Sequence, residues 1–277
     1  MKLAFNTWAY SSFPVWVPAY PLEEVIPRIA AIGYDGIELG AASPHCYPDY
    51  TTPQRRKEIR KLLETNKIAL VSLLPAPGGG PGFNVASPIP EERAGAIDQY
   101  KKVITLCADL GGKIVIYVAG WQVFGTTREE AWNWSRTALE AIVGTAATHG
   151  ITICIEPTSA DSNLIDSADD ALRLQREVNA PNVKLMFDTY HTIYRNEVAS
   201  DYVHRFGKEL VHVHLADSNR LPPGEGTGSF PTLISALKKS GFDGYLTMEI
   251  GFNRRDIDAD DVARRAYRNV KKMVEEA

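Results

Sequence analysis

Paired cysteines, long apolar runs and blocks of like charge are all missing from this 277-residue chain. Its three cysteines, Cys46, Cys107 and Cys154, lie far apart with no Cys-x-x-Cys pair. That argues against a disulfide framework or a thiolate zinc site and fits a reducing compartment, with the thiols as small buried hydrophobes. No window approaches the length of a membrane span. The opening MKLAFNTWAYSSFPVW is interrupted by Asn6, Tyr10 and Pro14 before a signal-like apolar run develops. A cytoplasmic protein is expected, with no membrane partner. The formal net charge is only −4, and Lys and Arg are dispersed, so no nucleic acid is expected as partner either. A small-molecule substrate is.

What the chain does have is rhythm. Short β-type runs cover Leu3–Thr7, Gly36–Leu39, Ile68–Leu74, Lys113–Val118, Thr152–Glu156, Val183–Asp188, Leu210–Leu215 and Gly244–Glu249. Between them, Leu22–Ile32, Pro53–Asn66, Glu91–Leu110, Arg128–Gly150, Ala168–Val178, Glu197–Phe206, Thr232–Ser240 and Asp258–Glu275 carry helical periodicity. One join recurs: Gly33-Tyr34-Asp35-Gly36 is echoed by Gly241-Phe242-Asp243-Gly244. In each, Gly closes a helix, an aromatic anchors the turn, and Asp-Gly opens the next strand. Eight such βα units predict an α/β fold, a single (β/α)8 TIM barrel domain over residues 1–277. The alternative, a doubly wound open sheet, usually needs fewer strands. Pro75–Gly82, rich in Gly and Pro, lacks the Gly-Lys-Ser/Thr ending of a phosphate-cradling loop and reads as a flap over the barrel mouth.

In a TIM barrel the site lies at the C-terminal ends of the strands. The last four runs end in Glu156, Asp188, His214 and Glu249, each about one βα unit from the next. Taken singly, each acidic residue has a bland explanation, such as capping the following helix. Together, three carboxylates at one mouth repel one another and raise each other's pKa unless a cation neutralises them. The four therefore predict a divalent metal site. Three oxygen donors and one imidazole suit Mn²⁺, with Mg²⁺ or Co²⁺ as alternatives. Period-2 alternation puts His212 and His214 on the same inner face, with His214 nearer the mouth as ligand and His212 in the layer below.

Around this set, His191 follows Asp188 by three residues and Arg220 follows His214 by six. Both are expected to reach substrate oxygens, although a loop His or Arg is often just a surface residue. Trp8, Tyr10, Phe13 and Trp16 cluster after the first strand and Trp121 follows the fourth. Trp8 and Trp121 are the candidates for packing on a sugar face, a role that competes with plain core packing. His45, Glu38 and Glu225 are weaker candidates at the rim, while His149 and His204 read as solvated helix residues. Arg254 and Arg255, past the eighth run, suit an anionic group, solvent or a neighbouring subunit equally.

The order Glu156, Asp188 with His191, His214 with Arg220, and Glu249 resembles the sugar isomerase/epimerase family with the xylose-isomerase-like TIM barrel. Asn219-Arg-Leu-Pro-Pro-Gly-Glu-Gly226, and Gly241-Phe-Asp-Gly244 leading to Met248-Glu249, look most like ketose 3-epimerases of the tagatose or psicose type. Glu156-Pro157-Thr158 with Ser162-Asn163, and Tyr34–Glu38 with Pro44-His45, are more similar to the fructoselysine 3-epimerase branch. The resemblance covers nearly the whole chain. It implies that Glu156, Asp188, His214 and Glu249 bind the metal and that Glu156 and Glu249 are also the acid/base pair. It further implies that His191 and Arg220 hold substrate oxygens and that the protein is a homodimer or homotetramer. One departure concerns the sugar: where ketose 3-epimerases carry a further substrate-binding Glu, this chain has Ser162.

The chemistry is coherent on its own terms. A metal held by the ketone oxygen and neighbouring hydroxyl of a keto-sugar stabilises an enediolate, which lets a carboxylate remove the adjacent proton. Two glutamates on opposite faces then exchange protons and invert C3. The same site gives elimination if a leaving group lies β to the carbanion, and aldose–ketose isomerisation if the proton returns to the neighbouring carbon. Two further readings rank below these: a non-catalytic sugar binder and an abasic-site endonuclease. The latter shares the barrel but needs extra His and Asp ligands, and here Val118-Ala119-Gly120 and Asn219-Arg220-Leu221 stand in their places.

Overall fold

Parallel strands covered on both faces need apolar residues on both, and the eight runs supply them. In the computed structural model, which describes residues 1–11, 18–75 and 83–277, the strands are β1 Lys2–Asn6, β2 Gly36–Ala41, β3 Ala69–Pro75, β4 Ile114–Val118, β5 Thr152–Glu156, β6 Val183–Asp188, β7 Leu210–Leu215 and β8 Tyr245–Met248. All pair in parallel, each with the next, and β8 returns to β1 to close the barrel. The open-sheet alternative is thereby removed.

The helices are α1 Leu22–Ile32, α2 Pro53–Thr65, α3 Pro90–Leu110, α4 Arg128–Thr148, α5 Ala168–Val178, α6 Thr189–Tyr194, α7 Ala199–Phe206, α8 Phe230–Ser240 and α9 Ala259–Glu276. Eight of them match the expected windows to within two residues at either end. The addition is α6, a six-residue helix that leaves β6 directly and is too short to carry a helical period. It starts there because Asp188 accepts a hydrogen bond from the Tyr190 N–H at 2.8 Å, satisfying an orphan donor of its first turn. The repeated join behaves as the sequence predicts. Gly33 and Gly241 end α1 and α8 with φ of 114° and 74°, a conformation that penalises any Cβ.

Outward strand residues such as Ile155, Phe187, Val213 and Leu246 join the main core under the helices. Inward residues lie at successive levels along the axis. Leu74, Ile116, Cys154 and Met186, with Trp8, make a separate apolar cluster inside the barrel, while Glu156, Asp188, His214 and Glu249 follow at the C-terminal ends. Among the described residues, no helix is long and apolar enough to cross a membrane.

Candidate active site

Strand register alone brings the four predicted ligands together. Asp188 pairs with His214 across β6 and β7, while Glu156 ends β5 and Glu249 directly follows β8. Each of the four offers a ligand atom, and these atoms all lie within 4.8 Å of one another. All four residues are buried. His214 Nδ1 is 3.3 Å from both Glu156 Oε1 and Glu249 Oε2. Among the described residues, neither His214 Nδ1 nor Glu156 Oε1 has a hydrogen-bond partner. Buried polar groups are normally satisfied, so two converging orphan atoms, each offering a lone pair once its group is deprotonated, fit a bound cation. The donor set of three carboxylates and one imidazole fits a hard to borderline divalent ion.

The other imidazole nitrogen explains why Nδ1 faces the carboxylates. His214 Nε2 lies 3.0 and 3.1 Å from the two oxygens of Glu38, and His212 Nε2 lies 3.2 Å from Glu38 Oε2. Glu38, expected at the rim, is instead fully buried on the barrel axis. The correction follows from parity: Glu38 pairs with Asn6 and Ser72 on the inner face of the barrel, below the ligand layer. His212 occupies the supporting layer the sequence predicts.

Electrostatics separate the two glutamates. Burial pushes the Glu156 carboxyl up to about 7, with His214 pulling it down and Glu249 and Asp188 adding to the rise. Glu249 is equally buried, but the charges of Arg220 and His214 outweigh desolvation and hold it below the usual range. Asp188 is raised, by burial first, with Arg220 opposing. Burial works against the charged form of His214 too, yet Glu38, Glu249 and Glu156 lift it well above an ordinary histidine.

Arg220 lies inside this set rather than above it. Its guanidinium contacts Asp188 Oδ2, donates to Glu249 Oε2 at 2.7 Å, and approaches Asp161 Oδ2 at 3.4 Å. It is sandwiched by Tyr190 and Phe252, at 4.1 and 5.1 Å from their ring centroids. Holding it there is Asp217, a fully buried residue that sequence reasoning passed over. Its carboxylate accepts from the N–H groups of Ser218, Gly224, Gly226 and Gly228 at 2.8–2.9 Å, tying the Pro-Gly-rich loop into one unit. The clue was an acidic residue followed by alternating glycines, a backbone free to aim several N–H groups at one carboxylate.

His191 is placed by α6 beside Asp188. Its Nδ1 accepts from the Ala160 N–H at 3.2 Å, so the proton sits on Nε2, which faces Asp161 Oδ2 at 3.6 Å. Burial pushes its pKa down to about 3, so it is a neutral N–H donor at the edge of the ligand set. Ser162 turns away to Thr158, 2.9 Å between hydroxyl oxygens, and Asp161 is the residue of that loop facing His191 and Arg220.

The aromatic candidates part. Trp8 is buried in the axial apolar cluster, its ring lying over Gly40 where a Cβ would approach to 2.7 Å. Trp121 lines a small apolar cavity of about 40 Å³ with Tyr47, Phe83, Tyr100 and Val118, the last paired in register with Glu156. His45 is buried, with Nε2 2.8 Å from the Tyr20 carbonyl. Tyr10 is fully buried and donates to Asp260. Glu225 pairs with Arg265, and Arg254 with Asp256. His149 and His204 are exposed. Phe13, Trp16 and residues 76–82 of the expected flap lie outside the described residues.

The chain matches the family described as "Xylose isomerase-like TIM barrel" over residues 26–273. It is 25% identical to fructoselysine 3-epimerase of Shigella flexneri, over 83% of this chain and 85% of the relative. It is 28% identical to D-psicose 3-epimerase of Ruminiclostridium cellulolyticum, over 81% and 76%. Its fold superposes on a crystal structure of D-psicose 3-epimerase with D-tagatose from Clostridium cellulolyticum H10 with a TM-score of 0.84, covering 99% of both chains at 22% identity. With the closed eight-stranded barrel already established, the family match over most of its length means that this chain belongs to the xylose isomerase-like TIM barrel family.

Proposed function

We propose that the protein is a divalent-metal-dependent epimerase that inverts C3 of a keto-sugar. The observation that carries this reading is the pair Glu156 and Glu249. They come from the two outer members of four consecutive strands, converge on His214 from both flanks, and sit in unlike electrostatic surroundings. Glu249 has Arg220 against it, whereas Glu156 has an oxygen without a hydrogen-bond partner among the described residues. Two carboxylates kept apart in proton affinity are what a two-base exchange requires. The curated relatives named as sugar 3-epimerases support the same class.

Glu156, Asp188, His214 and Glu249 would hold the ion, Mn²⁺ being the best match to the donor set and Mg²⁺ or Co²⁺ next. When bound, the metal supplies a Lewis acid for the carbonyl and the neighbouring hydroxyl of the sugar. One glutamate takes the C3 proton from one face of the substrate, and the other returns a proton from the opposite face. His191 donates its Nε2–H to a sugar oxygen. Arg220 keeps Asp188 and Glu249 oriented and presents its remaining N–H groups toward the loop of Asp161, where a sugar hydroxyl completes the contact.

The test is to incubate the Mn²⁺-loaded protein with free, phosphorylated and glycosylated keto-sugars in D₂O and read the products by NMR. Epimerisation puts deuterium at C3 of both epimers of one substrate. An unsaturated or cleaved product, or an aldose formed with no deuterium at C3, replaces this reading with the lyase or isomerase outcome.

A further inference from the structure

We propose that Glu38 is a positioning residue that fixes His214 with its proton on Nε2 and its Nδ1 lone pair turned to the ligand set. The inference rests on the reading that Glu156, Asp188, His214 and Glu249 bind a metal. Its starting point is a fully buried carboxylate on the barrel axis with both oxygens in use. Oε1 accepts from Asn6 Nδ2 at 2.6 Å and Oε2 from Ser72 Oγ at 2.5 Å. His214 Nε2 faces both oxygens at 3.0 and 3.1 Å, and His212 Nε2 faces Oε2 at 3.2 Å. A carboxylate in this setting only accepts hydrogen bonds, so each imidazole nitrogen turned toward it must carry hydrogen. For His214 that leaves Nδ1 as the nitrogen free to act as a ligand, and it points between Glu156 and Glu249.

Glu38, His212 and His214 are close enough together to suggest a second cation site of their own. The donors around them argue otherwise. Asn6 and Ser72 aim N–H and O–H groups at Glu38, and both histidines add N–H groups, so the carboxylate is saturated by hydrogens. The cluster is a support and not a second centre. It also accounts for the two histidines in Val-His-Val-His: His212 anchors the carboxylate from the same strand, its ring edge-on to that of His214 at 5.1 Å and 77°. Asn6 extends the support to the end of β1, since its Oδ1 accepts from the Trp8 N–H at 2.7 Å.

Without the carboxylate, His214 is free to take the other tautomer or to turn its ring, and a C–H or N–H then faces the carboxylates. Partners behind a ligating histidine typically contribute about 10–100-fold in metal affinity. The experiment is a Mn²⁺ titration followed by electron paramagnetic resonance, on the wild type, Glu38→Gln and Ser72→Ala, with near-UV circular dichroism to follow the fold. The Co²⁺-loaded forms are then compared by proton NMR. The expected results are a wild type that binds one ion and shows a slowly exchanging, hyperfine-shifted imidazole N–H, and a folded Glu38→Gln that binds about 10–100-fold more weakly and loses that resonance. Ser72→Ala, which keeps the carboxylate but loosens it, should weaken binding by a few-fold and speed exchange of the same proton; it carries the test if Glu38→Gln does not fold. A wild type that binds no ion overturns the metal reading itself. Binding in the wild type, with affinity and N–H exchange unchanged in the folded variants, overturns the role of Glu38 and leaves the metal reading standing.

Discussion

The two halves of the barrel close the same sheet but do different work. Strands β5 to β8 bring Glu156, Asp188, His214 and Glu249 to one point at the mouth. Strands β1 to β3 contribute none of these, and instead supply Asn6, Glu38 and Ser72 on the inner face, which brace His214 from below. β4 contributes Ile116 to the apolar layer. The reactive half is thus over-supplied with acceptors and has orphan atoms, while the bracing half has its acceptors filled. Charge that cannot be satisfied internally marks where a cation and a substrate belong. Charge that is satisfied internally marks what holds them.

That contrast is broken most strongly by removing a charge from the reactive half. Glu249→Gln keeps shape and most hydrogen bonding but cannot take a proton. Turnover of the keto-sugar identified by the D₂O screen should fall by about 10²–10⁴-fold, while the chain stays folded by circular dichroism. Turnover within a few-fold of wild type removes the acid/base role from Glu249. A smaller break lies in the loop that positions Arg220. Asp217→Ala leaves four backbone N–H groups without their acceptor. Hydrogen bonds to charged groups contribute about 1.5–3 kcal/mol each but not additively, so a loss of about 3 kcal/mol in chemical denaturation is expected.

Much of this was legible in the sequence because the signals are periodic. β5, β6 and β7 and the helices α1 and α5 begin and end where the pattern says, and parity along β5 to β8 is enough to turn four ligand-type residues inward. What was hidden depends on contacts between distant strands. Glu38 looked like a rim residue because its partners lie 34 and 176 residues away, on β3 and β7. Helix α6 was hidden by its brevity, and the placement of Arg220 between Asp188 and Glu249 depends on the loop geometry set by Asp217. Trp8, expected at the mouth from its position after β1, packs its ring over Gly40, one inward position beyond Glu38, and against the axial cluster.

Acidity sharpens the comparison from another side. In the metal-free protein the Glu156 carboxyl, raised from an ordinary 4.5 to about 7, binds its proton more tightly folded than unfolded. Its contribution to stability is therefore full below about 4.5 and is lost as pH rises through 7. His214, raised well above 6.5, acts in the same direction: its share is present below 6.5 and declines as pH climbs through its folded value. A metal requires both groups deprotonated and so displaces these protons. The increase in Tm produced by saturating Mn²⁺ should accordingly grow from pH 5 to pH 8 by differential scanning calorimetry. A gain that is flat or shrinks over that range would place the ion elsewhere. His191, with its pKa near 3, lowers stability as pH falls below 6.5, but it is neutral in the folded chain with and without the ion and so leaves the gain from Mn²⁺ unchanged.

The smallest expected effect tests whether the layers are separable at all. Ile116 is fully buried in the axial apolar cluster with Leu74, Cys154 and Met186, one inward position below the level of Glu156 by strand register. Ile116→Val removes one methyl group and leaves every polar contact of the site intact. Such a truncation typically costs about 0.5–1.5 kcal/mol, which urea denaturation of the metal-free protein resolves. Because the neighbours of Ile116 in this cluster are aliphatic, sulfur-bearing or aromatic, the loss has no hydrogen bond through which to reach His214, and Mn²⁺ affinity should stay within about twofold for a contact of this size. A tenfold weaker ion at that modest cost in stability would mean that the apolar layer sets ligand geometry as strongly as the polar brace does.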